Sequence, residues 1–280
     1  MKTLYISDLD GTLLNPRARL SEFAVEALNR MKQSGLQFSP VNFTVATART
    51  WESVRVVLAD ILPLPAPVVL MNGALVYDTR AGKFAKVEYI PENAVRELLR
   101  RVRADGQTGF LYSLREGRIC PYHEPLERPI LREFHDTRVK YYGKRFAQTD
   151  DLALHAGEPI VYFTTQDSYK NLEPLYLELR GMGGIDCALY TDSYLPGNWF
   201  LECFSRSASK YNAVRFLREQ YGYDKVIGFG DNLNDLPLFA ACDESYAVAN
   251  AREELKAAAT GVIGANVDDG VVKFLMEAAV

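Results

Sequence analysis

The sequence predicts an α/β protein: a doubly wound parallel sheet interrupted by a long α+β segment. Three observations lead there. Short hydrophobic runs alternate with amphipathic helices over roughly the first seventy residues. Near residue 76 the rhythm changes to strand pairs mixed with helices. After about residue 204 the first rhythm returns. Alternating strands and helices build a parallel sheet with helices on both faces, and strand pairs favour an antiparallel sheet.

Taken in order, LYIS (4–7) is a strand. SEFAVEALNRMKQSG is a helix with Ser21 as N-cap, Ala24, Leu28 and Met31 on one face, and Gly35 at its stop. FTVAT (43–47) is a second strand. TWESVRVVLADIL is a helix that buries Val54, Val57, Leu58 and Ile61. PVVLM (67–71) is a third strand. ALVYDTRAGKFAKVEYI reads as a hairpin around TRAG, and PENAVRELLRRVRADG as a helix with Pro91 at its first position. GFLYSLREGRICPY is a hairpin turning at REG. PIVYFTTQ, SYKNLEPLYLELRG, DCALYTDS and NWFLECF continue the mixed pattern. A helix over 208–220, the strand KVIGFG, a helix from 232, the strand ESYAVA, and helices over 252–258 and 270–278 close the chain. The simplest architecture is a Rossmann-like core from residues 1–82 and 204–280, with an α+β cap inserted at 83–203.

Composition narrows the function. The 280 residues carry 48% hydrophobic and 24% charged side chains, enough for a sizeable core in an ordinary soluble protein. A net charge of −4 argues against a nucleic-acid partner. No apolar run reaches membrane-span length. Only four residues separate Lys2 from Ser7, so the start lacks the apolar stretch of a secretion signal. Cys120, Cys187, Cys203 and Cys242 are scattered and read as reduced thiols. A cytoplasmic location is the expectation.

Chemistry concentrates at strand ends. The first strand runs directly into Asp8, Asp10 and Gly11. Strand side chains alternate, so Asp8 and Asp10 would share a face and repel. A second acidic turn, GDNLND (230–235), follows the strand KVIGFG. In open α/β sheets ligands bind beyond the carboxyl ends of the strands, so both turns point to one crevice. Converging carboxylates call for a cation, and hard oxygen ligands suit Mg²⁺. Thr47 ends the second strand and could offer its hydroxyl and nearby N–H groups to an anion. Arg49 could add charge beside it, and Asn72 and Gly73 follow the third strand. Lys210 falls in the first turn of its helix, capped by Ser207 or Ser209. The helix dipole disfavours a cation there, unless an anion is bound.

DLDGTL (8–13), the Thr47 strand end, Lys210 before its helix and GDNLND, in that order, resemble the four motifs of the haloacid dehalogenase superfamily. NGALVYD (72–78) and the position of the insert resemble its Cof-type, sugar-phosphatase-like branch. The resemblance covers essentially the whole chain. It implies a Mg²⁺-dependent phosphatase acting on small phosphorylated metabolites, sugar phosphates above all. Asp8 would be the nucleophile and Asp10 the proton shuttle. Asp8, the Asp10 backbone carbonyl and Asp231 would hold the metal, with Asp235 behind them. Leu9 and Ala48 through their N–H groups, with Thr47, Lys210 and Asn234, would cradle the phosphate. Arg49, Asn72 and Gly73 would line the same crevice. Ala48 departs from the family's usual glycine, and the ECFSRSASK context of Lys210 departs from its glycine-containing form. A phosphomutase shares these motifs, and a non-catalytic metabolite-binding protein could retain the fold. Both readings stay open at this point. The insert would choose the substrate, but its His123, His135 and His155 are more often surface or satisfied histidines than ligands.

Overall fold

The computed structural model describes residues 1–32, 41–192 and 195–278. The expected stop of the first helix at Gly35 lies outside the described residues. In chain order the first elements are β1 (Thr3–Ser7), α1 (Glu22–Lys32), β2 (Asn42–Val45), α2 (Trp51–Val57), β3 (Val68–Leu70), β4 (Leu75–Asp78) and β5 (Lys83–Val87). Then come α3 (Glu92–Ala104), β6 (Phe110–Arg115), β7 (Arg118–His123), α4 (Pro129–Tyr142), β8 (Ala147–Gln148), β9 (Ile160–Asp167), α5 (Tyr169–Leu179), β10 (Ile185–Thr191) and β11 (Trp199–Ser205). The chain closes with α6 (Lys210–Tyr221), β12 (Lys225–Gly230), α7 (Leu236–Ala241), β13 (Glu244–Val248), α8 (Glu253–Ala258), β14 (Gly261–Ile263) and α9 (Gly270–Ala278). It divides into two compact units, Met1–Ala85 with Ser209–Val280, and Lys86–Ala208.

The first unit holds a parallel sheet of order β14-β13-β12-β1-β2. Leu4, Ile6, Val226 and Phe229 are fully enclosed, as expected for strands covered on both faces. The chain builds outward from β1 through β2. It later returns to lay β12 on the other side of β1, with Ser7 opposite Phe229. The order therefore reverses between β1 and β12, and the crevice beyond that point is where such sheets take ligands. Asp8 follows β1 and Asp231 follows β12, so the sheet order alone makes them neighbours.

Several elements differ from expectation. β3 pairs antiparallel with β4 in a small sheet of order β3-β4-β5. It touches the main sheet through one parallel bridge, Ala46–Val69. β3 is only three residues long and runs at once into left-handed backbone at Met71, so no longer ladder forms. The helix expected across 50–62 ends at Val57. Leu58 leaves helical geometry (φ −107°, ψ 12°), and the chain continues as a single tight turn over Ala59–Ile61. Pro91 is the N-cap of α3 rather than its first residue. α4 and β14 are additional to the expected elements; β14 is too short, and α4 too weakly patterned, to stand out in the sequence.

The second unit holds a sheet of order β10-β11-β9-β6-β7-β8, antiparallel except for the β7–β8 pair. α3 presents Ala94, Val95, Leu98, Leu99 and Val102 along one stripe, at the spacing of a helix buried on one side. That stripe packs with Leu172, Leu175 and Leu179 of α5 and with Leu111, Phe163, Leu201 and Cys203 of the sheet. The three histidines all have local partners. His123 Nδ1 lies 2.8 Å from the Glu124 carbonyl, His135 Nδ1 2.8 Å from Asp136 and His155 Nδ1 2.9 Å from Glu158. Among the described residues no helix is long and apolar enough to cross a membrane.

Candidate active site

The loop after β1 is the foundation of the site. The Asp8 N–H donates to the Phe229 carbonyl (2.9 Å), which extends the β1–β12 pairing by one residue. The backbone then turns sharply, with Asp10 extended (ψ 116°) and Gly11 left-handed (φ 80°). A side chain at Gly11 would collide with Asp231: a Cβ built there lies 2.3 Å from Asp231 Oδ2. Glycine is needed here for close approach as well as for its backbone angle. The two acids take different partners. Asp8 is buried and accepts a hydrogen bond from Lys210 Nζ at 2.7 Å. Asp10 is held by both oxygens in the fork of Arg49, with Nε–Oδ2 2.7 Å and Nη2–Oδ1 2.6 Å. The expected repulsion between Asp8 and Asp10 is present, since the Asp10 charge helps to raise the Asp8 carboxyl. The chain leaves the β1 ladder after Asp8, and each carboxylate has a cation partner, Lys210 for Asp8 and Arg49 for Asp10.

Three buried carboxylates do converge: Asp8, Asp231 and Asp235 each place an oxygen within 4.8 Å of the others. Thr12 Oγ1 donates to Asp231 Oδ1 at 2.8 Å. Asp235 is completely enclosed. Its Oδ2 accepts the N–H groups of Asp231 (3.0 Å) and Asn232 (3.1 Å), and its Oδ1 accepts Lys210 Nζ at 2.6 Å. Asp235 thus joins the two motifs by shaping the turn after β12 and seizing the lysine from α6. Ser209 caps α6 by accepting from the Asn212 N–H (3.0 Å), which starts the helix at Lys210.

Burial sets the electrostatics. Loss of water pushes the Asp8 carboxyl up to about 7; Lys210 opposes that rise, and the charges of Asp235 and Asp10 add to it. Asp231 is pushed well above the carboxylate range, first by burial and then by Asp8 and Asp235. Burial works against the Lys210 ammonium, but Asp235 and Asp8 outweigh it and its pKa rises. One ammonium among three buried carboxylates leaves an excess of negative charge, and a divalent cation would relieve it. Lys210 and Thr12 engage only Oδ1 of Asp8 and of Asp231, so both carboxylates keep acceptor capacity for such a cation. The donor set is all oxygen, as Mg²⁺ prefers.

The remaining candidates form a second layer. Thr47 Oγ1 accepts from the Arg49 N–H (3.1 Å), and the Thr47 carbonyl accepts from the Asn72 N–H (3.1 Å). Ala48 lies within that turn. The Met71 N–H donates to the Arg49 carbonyl (3.2 Å), and Asn234 Nδ2 reaches Asn72 Oδ1 at 3.5 Å. Met71, Asn72 and Gly73 are left-handed in succession, at φ 50°, 52° and 97°. Gly73 lies against the start of α6; a Cβ there would come within 2.1 Å of the Ser209 carbonyl oxygen. The Leu9 side chain is buried in the core, so only its backbone is available to a ligand. Sequence reasoning passes over Thr12 and Asn250 as site residues. Asn250 Nδ2 holds the Gly11 carbonyl at 2.8 Å, and its position just after β13, in the same crevice, is the signal available.

The haloacid dehalogenase-like hydrolase model covers residues 5–275, and the chain belongs to that family. It is 24% identical over 276 residues to pyridoxal phosphate phosphatase YbhA of Escherichia coli, across 96% of this chain and 95% of that one. It is 26% identical over 298 residues to 5-amino-6-(5-phospho-D-ribitylamino)uracil phosphatase YwtE of Bacillus subtilis, across 98% and 97%. A solved haloacid dehalogenase-like hydrolase from B. subtilis superposes with a TM-score of 0.79 at 23% identity, covering 99% of each chain. The protein is an enzyme of the hydrolase class.

Proposed function

We propose that the protein is a Mg²⁺-dependent phosphatase that hydrolyses small phosphate monoesters, sugar phosphates among them, through a phosphorylated Asp8. The observation that carries this reading is the Asp8–Lys210–Asp235 arrangement. A buried carboxylate after β1 faces an ammonium fixed by a second carboxylate, with Asp231 alongside. An aspartate is a usable nucleophile once the repulsion of an anionic phosphate is offset. Relatives named as phosphatases, one for pyridoxal phosphate and one for a phosphoribitylamino compound, support small phosphorylated metabolites as the substrate class.

In the first step an Asp8 oxygen bonds to phosphorus while the phosphorus–oxygen bond to the leaving alcohol breaks. Asp10, protonated and released from the Arg49 fork, gives its proton to that alkoxide. In the second step water attacks the phosphorus of Asp8-phosphate, Asp10 takes the water's proton, and inorganic phosphate departs with Asp8 restored. Lys210 offsets charge on the transferring oxygens. Asp8, Asp231 and the Asp10 carbonyl would hold Mg²⁺, and the ion when bound supplies charge neutralisation to the phosphoryl group. Thr47, Asn234 and the N–H groups of Leu9 and Ala48 would hold the phosphate. Residues 83–203 would act as the cap that selects the alcohol. A screen over sugar, polyol, nucleotide and cofactor phosphates, with Mg²⁺ and with chelator, tests this. Turnover that needs Mg²⁺ supports the reading. Absence of metal-dependent turnover across the panel refutes it.

A further inference from the structure

Two of the four cysteines stand directly opposite each other. Cys187 of β10 and Cys203 of β11 are register partners in an antiparallel pair, with their sulfurs 3.4 Å apart. Opposed residues in such a ladder have Cα atoms about 4.5–5.5 Å apart, inside the range of about 4.4–6.8 Å that disulfides span. β10 is the edge strand of its sheet. The sulfurs must approach by more than an ångström to reach the bond length of about 2.05 Å, and an edge strand can move. Cys187 is half-buried and packs against the core of its unit, whereas Cys203 is enclosed, so Cys187 is the more accessible of the two.

We propose that Cys187 and Cys203 are a redox-active dithiol that closes to a cross-strand disulfide when a small disulfide such as glutathione disulfide supplies the oxidation. The Cys187 thiolate attacks one glutathione sulfur, forms a mixed disulfide and releases one glutathione thiolate. The Cys203 sulfur then attacks Cys187 Sγ and releases the second glutathione, which takes up the proton Cys203 gives up. Two protein thiols lose two electrons and two protons, and one glutathione disulfide becomes two glutathiones. Cys187, the more accessible of the two, is the first to react; burial pushes the Cys203 thiol well up. The bond ties the edge strand to its neighbour and closes the chain between residues 187 and 203. Unfolding is then opposed by the smaller freedom of the cross-linked unfolded chain.

The test uses the full-length protein in a series of glutathione to glutathione-disulfide ratios, quenched with an alkylating reagent and read by intact and peptide mass. The expected product is lighter by two hydrogens, carries a link between Cys187 and Cys203, melts at a higher temperature and reverts with dithiothreitol. Cys203→Ser should arrest the reaction as a glutathione adduct on Cys187. The wild-type mass decides the matter even if that variant does not fold. A persistent adduct on wild-type Cys187, a link through Cys120 or Cys242, or free alkylation of both sulfurs at every ratio overturns the proposal.

Discussion

The Lys210 ammonium is held between Asp8 and Asp235, 2.7 Å from one carboxylate and 2.6 Å from the other, and all three side chains are buried. Removing one partner of a buried ion pair typically costs about 3–5 kcal/mol because the other charge is stranded. Lys210→Met should therefore destabilise the metal-free protein by that order at pH 8. The loss should shrink at pH 5.5, where the stranded carboxyls take up protons. Urea unfolding at the two pH values measures it, and equal losses would mean that the ammonium does not balance the cluster.

Asp8 predicts a pH dependence of stability. Its carboxyl is pushed up to about 7 by burial, against about 3.9 when unfolded. Between those values the folded chain binds a proton that the unfolded chain does not, so stability from this group falls as pH rises. The slope is at most about 1.4 kcal/mol per pH unit and flattens above pH 7. Asp8→Asn should remove it, so that the metal-free variant gains on wild type from pH 4.5 to 7 and then runs parallel. Unfolding midpoints in chelator that stay parallel across that whole window would contradict the assignment.

Gly73 should act through the start of α6. In Gly73→Ala the methyl meets the Ser209 carbonyl, whereas in Gly82→Ala it meets nothing within 4 Å, although both glycines are left-handed. Each variant carries the backbone strain, of order 1 kcal/mol. Only Gly73→Ala should displace Lys210, lowering kcat for every substrate by a common factor above about tenfold, the equivalent of ~1.4 kcal/mol. Reductive methylation of Lys210, followed by mass, should rise in the same variant alone. Equal behaviour of the two alanine variants would leave Gly73 with no special tie to Lys210.

Asp10 and Arg49 should behave as one device. Asp10→Asn should cost about 10²–10⁴ in hydrolysis of alkyl phosphates, and less for aryl phosphates, whose leaving groups need little protonation. Arg49→Lys removes the two-pronged grip on that carboxylate. If Arg49 acts through Asp10, the double variant should be little slower than Asp10→Asn. Losses that multiply would instead place Arg49 on the substrate.

The acidic turns are legible in the sequence because each directly follows a hydrophobic strand, and parallel topology brings strand ends together. Asp8 and Asp231 can be read that way from the chain alone, and Lys210 from its place in the first turn of a helix, where the dipole disfavours a cation. Asp235 is harder to weigh, since nothing local shows that its two oxygens reach Lys210 and the N–H groups of its own turn. Thr12 and Asp231 are 219 residues apart, and Asn250 lies 239 residues from Gly11, so no spacing rule connects them. The Asp10–Arg49 pair is hidden as well. Asp10 and Arg49 are 39 residues apart, and nothing in either stretch shows that the two side chains meet. Gly73 reads as a crevice residue because it follows β3, while its contact with Ser209 depends on three successive left-handed residues that no sequence pattern displays.

The central claim is that Asp8 carries the phosphoryl group. Its most direct test is a rapid acid quench of the enzyme after mixing with Mg²⁺ and a ³²P-labelled phosphate ester, with half of the quenched protein mapped for label and the other half reduced with borohydride before peptide mapping. The account predicts transient label on the peptide containing Asp8, conversion of Asp8 to homoserine by borohydride, and neither label nor turnover in Asp8→Asn. Label on any other residue, or an Asp8→Asn variant that hydrolyses the ester at the wild-type rate, would contradict it.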